Sequence, residues 1–398
     1  MKKLFARIRH NLYKILIRII NFPQPRIITG YNSSGSIYKL LSDQNIDNVL
    51  VVTDNGIIDA GLAGPMLAGF DANNIKYAIY DRVKPDPGIS DIEEGIKLYT
   101  QNKCRGIIAF GGGSPIDCAK VIAARAASKK PVQALKGSFK VRGKLPFLAA
   151  VPTTAGTGSE TTIFSVISDR EKEEKFTITD PKLTPDACIL DPALIVNLPP
   201  HLTAYTGMDA LTHAVESYLS IIGTSFSDQK ALEATNLIFN NLEESYRDGS
   251  NLESRKAMLE AAHFAGLAFT RAIIGYAHAA AHNLGAVYGI QHGLANAVVL
   301  PVVLEYSRDN CTARMAELAV HGGLGTGSEN ESDLGGRLIE KIRQINAGMS
   351  IPSTIKELKE EDIPYLAEKI DQEANPAYPV PKLLQKKDLE KLLYDLLE

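Results

Sequence analysis

Three of the chain's eight histidines lie close together, in the stretch of residues 275–293. His278, His282 and His292 stand among alanines, glycines and apolar side chains, a setting that solvates a charged imidazolium poorly. We therefore expect neutral rings, either hydrogen-bonded in a core or bound to a divalent metal ion. Metal binding is the chemistry that this clustering favours, because a second stretch of the chain supplies further ligand types.

That second stretch is residues 207–216, which contain two carboxylates and an imidazole. Asp209 and His213 are separated by one helical turn, so a helix places both side chains on one face. Glu216 follows within another turn, and we expect it to support a ligand instead of binding the metal itself. One aspartate and up to four histidines are enough for a divalent metal site.

Spacing alone leaves open which histidines bind the metal. His278 and His282 have the i, i+4 spacing of a helical ligand pair. His292 lies so far beyond His278 that a straight helix would separate them by about 21 Å. These two residues can share a metal only if the chain turns back between them. The glycines that make such a turn plausible are Gly285, Gly289 and Gly293.

The elements that must position these residues differ between the two halves of the chain. Short apolar strands alternate with helices in residues 23–198, which predicts a doubly wound α/β domain. Helical periodicity then continues through residues 199–398, which predicts an all-α domain. The predicted strands include residues 48–54 and 106–110, and the predicted helices include residues 57–70, 203–220, 228–242, 254–268, 312–319 and 333–346.

Residues 111–114 (Gly-Gly-Gly-Ser) connect a predicted strand to a helix, an arrangement that can hold a phosphate group. The alternative is a tight turn without a ligand. The absence of a Walker A pattern argues against ATP chemistry.

Asp54 ends another strand and can accept hydrogen bonds from a ribose, or can simply cap a helix. Residues 152–159 could surround a nicotinamide nucleotide, or could be only a polar connection.

The N-terminal residues 1–22 are the one compositional anomaly. They carry six basic side chains among apolar residues at helical spacing, which predicts a basic amphipathic helix. Charges interrupt the segment too often for a transmembrane span, and it lacks the features of a signal peptide. Two interpretations stay open: a helix on a membrane surface, and a helix packed on its own domain or on a neighbouring subunit.

The overall composition is that of an ordinary globular protein, with 45% hydrophobic and 22% charged residues. A net charge of -3 without long basic blocks argues against nucleic acid as a partner. The four cysteines lack metal-ligand spacing and indicate unpaired thiols in a reducing compartment. We therefore expect a cytoplasmic protein. Peripheral contact with a membrane through residues 1–22 is compatible with this location.

Four motifs, in this order, resemble those of the iron-containing (group III) alcohol dehydrogenases, whose fold is similar to that of dehydroquinate synthase. The motifs are residues 111–117, 152–160, 207–216 and 275–301, and the resemblance extends over most of the chain. It implies an N-terminal dinucleotide-binding α/β domain and a C-terminal helical metal-binding domain, with the active site in the cleft between them.

The resemblance also implies roles for individual residues. The ligands expected for the metal, Fe2+ with Zn2+ as the alternative, are Asp209, His213, His278 and His292. His282 is then a catalytic-site residue beside the nicotinamide. The residues expected to contact NAD are Asp54, Gly112, Gly113, Ser114, Thr153, Thr154 and Lys175. The expected walls of a mainly apolar substrate pocket are Phe164, Val166 and Phe269. Asp86 departs from the family pattern, which often has Asn there, and residues 1–22 have no counterpart in that pattern.

We therefore expect a homo-oligomeric oxidoreductase that transfers a hydride between NAD(H) and a small alcohol or aldehyde, with the metal as a Lewis acid. The alternatives are a glycerol- or maleylacetate-type oxidoreductase of the same superfamily, a dehydroquinate synthase-like lyase, and a non-catalytic membrane-recruited scaffold. The lyase acts on a polyanionic substrate and predicts clustered basic residues beside the metal motifs, where Arg271 is the basic residue close in sequence.

Overall fold

A computed structural model describes residues 2–172 and 174–398, which fall into two compact units. Residues 21–197 form the first, here called the α/β unit. Residues 1–20 and 198–398 together form the second, here called the helical unit. The N-terminal segment therefore packs with the second half of the chain, although the α/β unit follows it directly in sequence.

The strands, in chain order, are β1 (Arg26–Thr29), β2 (Asn48–Val52), β3 (Lys76–Tyr80), β4 (Gly106–Gly111), β5 (Gly137–Ser138), β6 (Phe147–Pro152), β7 (Phe164–Asp169), β8 (Glu174–Thr179) and β9 (Ala187–Leu190). The helices are α1 (Lys2–Ile19), α2 (Ile37–Asp43), α3 (Asn55–Asp59), α4 (Gly64–Ala72), α5 (Ile89–Gln101), α6 (Gly113–Ser128), α7 (Pro200–Leu219), α8 (Ser225–Arg247), α9 (Leu252–Ala272), α10 (Tyr276–Tyr288), α11 (His292–Ser307), α12 (Thr312–His321), α13 (Glu331–Gly348), α14 (Ile363–Ala374) and α15 (Lys386–Tyr394).

Six parallel strands form the main sheet of the α/β unit, in the order β1-β9-β6-β4-β2-β3. Alternate residues of β2 enter different apolar clusters because successive side chains point to opposite faces. Leu50 and Val52 pack in a cluster with α6, whereas Val49 and Val51 pack in another with α2 and α4. Helices thus cover both faces, and the predicted doubly wound architecture is confirmed. A small second sheet has the order β5-β8-β7 and escaped the sequence analysis.

The single helix predicted over residues 57–70 is wrong, because the chain forms two short helices there. α3 ends at Asp59, and Gly61 then takes a left-handed conformation with φ 68°. Such a conformation is accessible to glycine at little cost and stops the helix. Pro65 lies in the first turn of α4, where its missing N–H breaks no helical hydrogen bond.

The helical unit consists of α1 and α7–α15, and no strand occurs among its described residues. The all-α character predicted for the second half of the chain is therefore confirmed. Most of α7 is buried, including the stretch from Gly207 to Leu219 that carries candidate metal ligands. Among the described residues no single helix is long and apolar enough to span a membrane, while α9 and α10 together meet that length and composition but bend by 103°.

Candidate functional site

The histidine-rich stretch forms two helices joined by a tight turn. α10 carries His278 and ends before Gly289, whose left-handed φ of 71° closes the helix, and α11 begins at His292. A Cβ atom on Gly293 would lie 2.2 Å from the carbonyl oxygen of Tyr205, so glycine allows α11 to approach α7 closely. The predicted turn is confirmed, because the ring centroids of His278 and His292 are 5.5 Å apart.

The turn brings α10 and α11 to the carboxylate of Asp209 on α7. Asp209, His278 and His292 each place a possible ligand atom within 4.8 Å of the others. Asp209 Oδ1 lies 3.3 Å from His292 Nε2 and 3.8 Å from His278 Nε2. The ring of His213, one turn along α7 from Asp209, lies 4.3 Å from that of His278 between centroids. The four residues expected at the metal therefore lie together.

Glu216 orients the ring of His278. Its carboxylate accepts hydrogen bonds from the backbone N–H groups of Gly275 and Ala277, at 2.8 and 2.7 Å. Glu216 is therefore an acceptor here, so His278 Nδ1, 2.7 Å away, carries the proton. Burial lowers the pKa of His278 well below its usual value, which keeps the ring neutral. Burial also raises the pKa of Glu216 to about 7, against the effect of these hydrogen bonds.

This arrangement leaves the other nitrogen of His278 with a lone pair. His278 Nε2 is buried and has no hydrogen-bond partner among the described residues. A neutral imidazole with its other nitrogen bonded to a carboxylate is the usual form of a metal-binding histidine. The residues present thus fit a divalent metal ion, which would satisfy the buried nitrogen.

Asp209 is ionised in this environment. Burial alone would raise the pKa of its carboxyl group, but the imidazoles of His213 and His292 and the amide of Asn296 lower that pKa to about 2. Asn296 Nδ2 donates to Asp209 Oδ1 at 2.9 Å and so fixes the orientation of the carboxylate. A deprotonated, oriented carboxylate is the form that binds a metal ion.

His282 lies beside these residues but has a different carboxylate partner. Its ring stacks on that of His292, with centroids 5.1 Å apart. Its Nδ1 is 2.7 Å from Glu373 on α14, and the Tyr378 hydroxyl donates to the same carboxylate oxygen at 2.8 Å. Asn283 donates to the other oxygen of Glu373 at 2.9 Å. The sequence analysis missed Glu373, since 91 residues separate it from His282 and no local spacing links them.

The expected substrate-pocket residues belong to both units. In the helical unit, the Phe269 ring stacks on that of His213, with centroids 4.3 Å apart, and so forms an apolar surface beside the candidate metal ligands. In the α/β unit, Phe164 and Val166 lie on β7, where Phe164 is partly buried and Val166 is exposed.

The loops that follow β4 and β6 lie side by side in the α/β unit, because these strands are neighbours in the sheet. A Cβ atom on Gly111, where φ is 149°, would lie 2.6 Å from Pro115, and one on Gly113 would lie 3.0 Å from Thr157. Glycine is therefore required for this close packing at the start of α6. The other expected cofactor residues on these loops are Gly112, Ser114, Thr153 and Thr154.

Asp54 caps a helix, and its contact with a ribose stays a prediction. One carboxylate oxygen accepts a hydrogen bond from the backbone N–H of Ile57 at 3.1 Å and caps α3. The other lies 3.6 Å from the position that a Cβ atom would take on Gly111, so the carboxylate borders the glycine loop. Lys175 lies on β8 and forms an exposed ion pair with Asp86, at 2.8 Å.

A buried lysine that the sequence analysis missed holds the second of these loops. Lys120 Nζ donates to Ser159 Oγ at 3.2 Å, to both oxygens of Thr162 at 2.9 and 2.8 Å, and to the Phe164 carbonyl at 2.8 Å. Burial lowers the pKa of Lys120 to about 8, and the charge of Asp117 opposes this. The sequence pattern that could have revealed it is a single lysine among the apolar, buried residues of α6.

Known families match both parts of the chain. Residues 23–192 match the family described as iron-containing alcohol dehydrogenase. Residues 203–397 match the C-terminal region of the Fe-containing alcohol dehydrogenase family. Residues 1–22 precede the first of these matches.

Individual proteins are similar over nearly the whole chain. The 1,3-propanediol dehydrogenase of Citrobacter freundii is 35% identical over 387 residues, which are 96% of this chain and 98% of that protein. The crystal structure of a 1,3-propanediol oxidoreductase has a TM-score of 0.91 and 33% identity, and the match covers 95% of this chain and 100% of that one. A sulfoacetaldehyde reductase from Bifidobacterium kashiwanohense, in complex with NAD+, has a TM-score of 0.87 and 27% identity, covering 95% and 98% of the two chains.

Proposed function

The chain belongs to the iron-containing alcohol dehydrogenase family, and on this premise we propose that it transfers a hydride between NAD(H) and a small primary alcohol or diol and the matching aldehyde. The observation that carries the proposal is the convergence of Asp209, His278 and His292 around the buried, unprotonated Nε2 of His278. Such a cluster of imidazoles, with a neutral His278, and an ionised carboxylate suits a metal-dependent oxidoreductase.

The helical unit supplies the proposed metal site. The residues that we assign to the ion, Fe2+ with Zn2+ as the alternative, are Asp209, His213, His278 and His292. Three imidazoles and one carboxylate suit either metal. The bound ion supplies Lewis-acid activation of the alcohol hydroxyl. Glu216 holds His278 with its Nε2 lone pair free, and Asn296 holds the carboxylate of Asp209.

We assign His282 to proton exchange between the substrate and solvent. Its side chain is 42% exposed and stacks on His292, so it has access both to water and to the metal residues. Glu373 bonds to His282 Nδ1, which leaves Nε2 as the nitrogen that exchanges the proton. Glu373 is a positioning residue in this scheme, because it acts by orienting the imidazole.

The α/β unit supplies the proposed NAD site. The backbone N–H groups at the start of α6, a helix of 16 residues, favour the negative charge of a pyrophosphate. At Gly111 and Gly113 an added Cβ atom would collide with Pro115 or Thr157, so this loop keeps its close packing only with glycine at the two positions. Asp54 borders that loop with a carboxylate, which accepts ribose hydroxyl groups and repels the 2′-phosphate of NADP. Lys175, paired with Asp86, is a further proposed contact.

The substrate class follows from an apolar wall beside the metal residues. Phe269, stacked on His213, contributes this wall in the helical unit, and Phe164 and Val166 stay the predicted pocket residues of the α/β unit. The likeness to 1,3-propanediol dehydrogenase favours a short diol among the candidates. The lyase alternative requires basic groups for a polyanionic substrate, whereas the guanidinium of Arg271 lies over the ring of Phe226 at 4.3 Å.

The setting that we propose is a cytoplasmic homo-oligomer that touches a membrane surface through residues 1–22. All four cysteines are buried and unpaired, as suits a reducing compartment.

Two measurements test the proposed function. Protein loaded with Fe2+ under anaerobic conditions is expected to turn over NAD(H) with a panel of short alcohols, diols and aldehydes. The His292→Ala variant is expected to lose bound metal, whereas His282→Ala keeps the metal and loses turnover. His201→Ala, an exposed histidine of α7, is the control and should keep both. Metal loss in His282→Ala with retention in His292→Ala would contradict the assigned ligands.

A further inference from the structure

Helix α1 packs on the helical unit through small and polar residues. The small residue Ala6 and the polar residue His10 are both buried. The Arg7 guanidinium donates to the carbonyl oxygens of residues 380 and 381, at 2.8 and 2.7 Å. His10 Nε2 lies 3.0 Å from the carbonyl oxygen of Pro376. Hydrogen bonds to residues 376–381 therefore hold α1 in place, and most of its large apolar side chains take no part in this packing.

Those apolar side chains form an exposed stripe on the opposite face of α1. The stripe consists of Leu4, Phe5, Ile8, Leu12, Ile15 and Ile19, each 51–75% exposed. With 3.6 residues per turn, they fall within an arc of about 100°. Single exposed apolar residues are ordinary on protein surfaces, but a contiguous stripe of this kind marks a binding surface.

The charge around this stripe complements an anionic surface. Residues 1–22 carry six basic residues and no acidic one, and the first acidic residue of the chain is Asp43. Since the whole chain has a net charge of -3, the remaining residues carry -9, the difference between -3 and +6. Arg9 and Arg18 border the stripe on its two sides by helical position. Positive charge is thus concentrated on the helix that carries the exposed apolar side chains.

This combination favours a lipid surface over a second copy of the chain. Two copies that paired through the stripe would bring their cationic borders together, which opposes association. An anionic bilayer accepts apolar side chains at the boundary between headgroups and acyl chains, and basic side chains among the headgroups. We propose that α1 binds the enzyme to an anionic membrane surface, with the stripe inserted in the bilayer interface. The inference rests on the proposed membrane contact and is independent of the reaction.

Co-sedimentation of the full-length protein with vesicles tests this inference. We expect binding to phosphatidylcholine vesicles that contain phosphatidylglycerol, weaker binding at high salt, and little binding to phosphatidylcholine alone. The double variant Arg9→Glu/Arg18→Glu should bind the anionic vesicles more than about tenfold more weakly, since each basic residue near such a surface contributes about fivefold. Leu12→Ser/Ile15→Ser should lose binding too, because it removes inserted apolar area.

The control variant is Tyr31→Ser/Tyr365→Ser, which removes similarly exposed rings outside α1 and should bind like the parent. Binding to neither kind of vesicle, or undiminished binding of Arg9→Glu/Arg18→Glu, overturns the inference. Light scattering in the absence of vesicles tests whether a second copy of the chain covers the stripe instead. If Leu12→Ser/Ile15→Ser changes the molecular mass and the parent binds no vesicles, the stripe is an interface between copies. NAD(H) turnover of the same preparation reports separately on the proposed reaction.

Discussion

The two units build their candidate sites in different ways. In the helical unit the site consists of ionisable side chains on α7, α10 and α11, of which Asp209 and His278 are buried and each oriented by a hydrogen-bonded partner. In the α/β unit it consists mainly of backbone, at glycines where an added Cβ atom would collide with Pro115 or Thr157. A metal ion needs specific lone pairs at specific positions, whereas a phosphate needs close approach to N–H groups. Substitutions should therefore act differently in the two units.

The largest effect is expected from Lys120→Met in the α/β unit. The change removes the donor that four oxygen atoms share and leaves the carboxylate of Asp117 without its nearby charge. We expect a loss of about 3–5 kcal/mol in the free energy of unfolding of this unit, measured by urea titration. Lys130→Met, at an exposed lysine just beyond α6, should unfold like the parent. Unchanged unfolding of Lys120→Met would show that the loop does not depend on the buried side chain.

Glu216→Gln comes next and tests the side-chain site of the helical unit. The new amide keeps one acceptor oxygen and turns its NH2 group toward the donors that the other carboxylate oxygen now serves, so the orientation of His278 is less well fixed. Metal affinity should fall about 10–100-fold, as measured by competition with a chelator. Glu233→Gln, on α8, is the matched control. A variant that binds metal as tightly as the parent would mean that Glu216 does not orient a ligand.

Gly113→Ala tests the backbone site. Its Cβ atom would lie 3.0 Å from Thr157 and should displace the loop. NAD affinity is then expected to fall about five- to tenfold, at the low end of overpacking effects, with metal content unchanged. Gly64→Ala is the control, because it also begins a helix and its Cβ atom meets no atom within 4 Å. Equal NAD affinities for the two variants, measured by calorimetry, would argue against a cofactor at this loop.

The smallest effect is expected from Glu373→Gln. A neutral amide oxygen can still accept a hydrogen bond from His282, but that bond is roughly half as strong as one to a carboxylate. We expect kcat to fall about two- to fivefold, with KM for the alcohol and the metal content unchanged. Glu357→Gln, at an exposed position, serves as the control. If the variant instead loses bound metal while kcat is unchanged, Glu373 orients the metal ligands and not the proton-exchanging histidine.

Local patterns predicted much of the architecture. The alternation of strands and helices predicted the α/β sheet, and the glycines after His278 predicted the turn that brings His292 back. The helix predicted across Gly61 was wrong, because a left-handed glycine ended it early. Glu373 and Lys120 escaped prediction, since their partners lie far along the chain and only packing brings them together.

The sequence by itself determined which chemical groups are available and which of them share a helix face, because helical periodicity acts within a few residues. The tertiary structure decided how those groups are used. His278 and His282 lie one turn apart on the same helix, yet they have different partners. Glu216, 62 residues from His278, bonds to its Nδ1 and leaves its buried Nε2 with a free lone pair. Glu373, 91 residues from His282, bonds to the ring of His282, which is half-exposed. The apolar face of α1 is likewise exposed because hydrogen bonds at residues 376–381 hold the opposite face. Such partnerships depend on packing between distant segments, which local spacing does not encode.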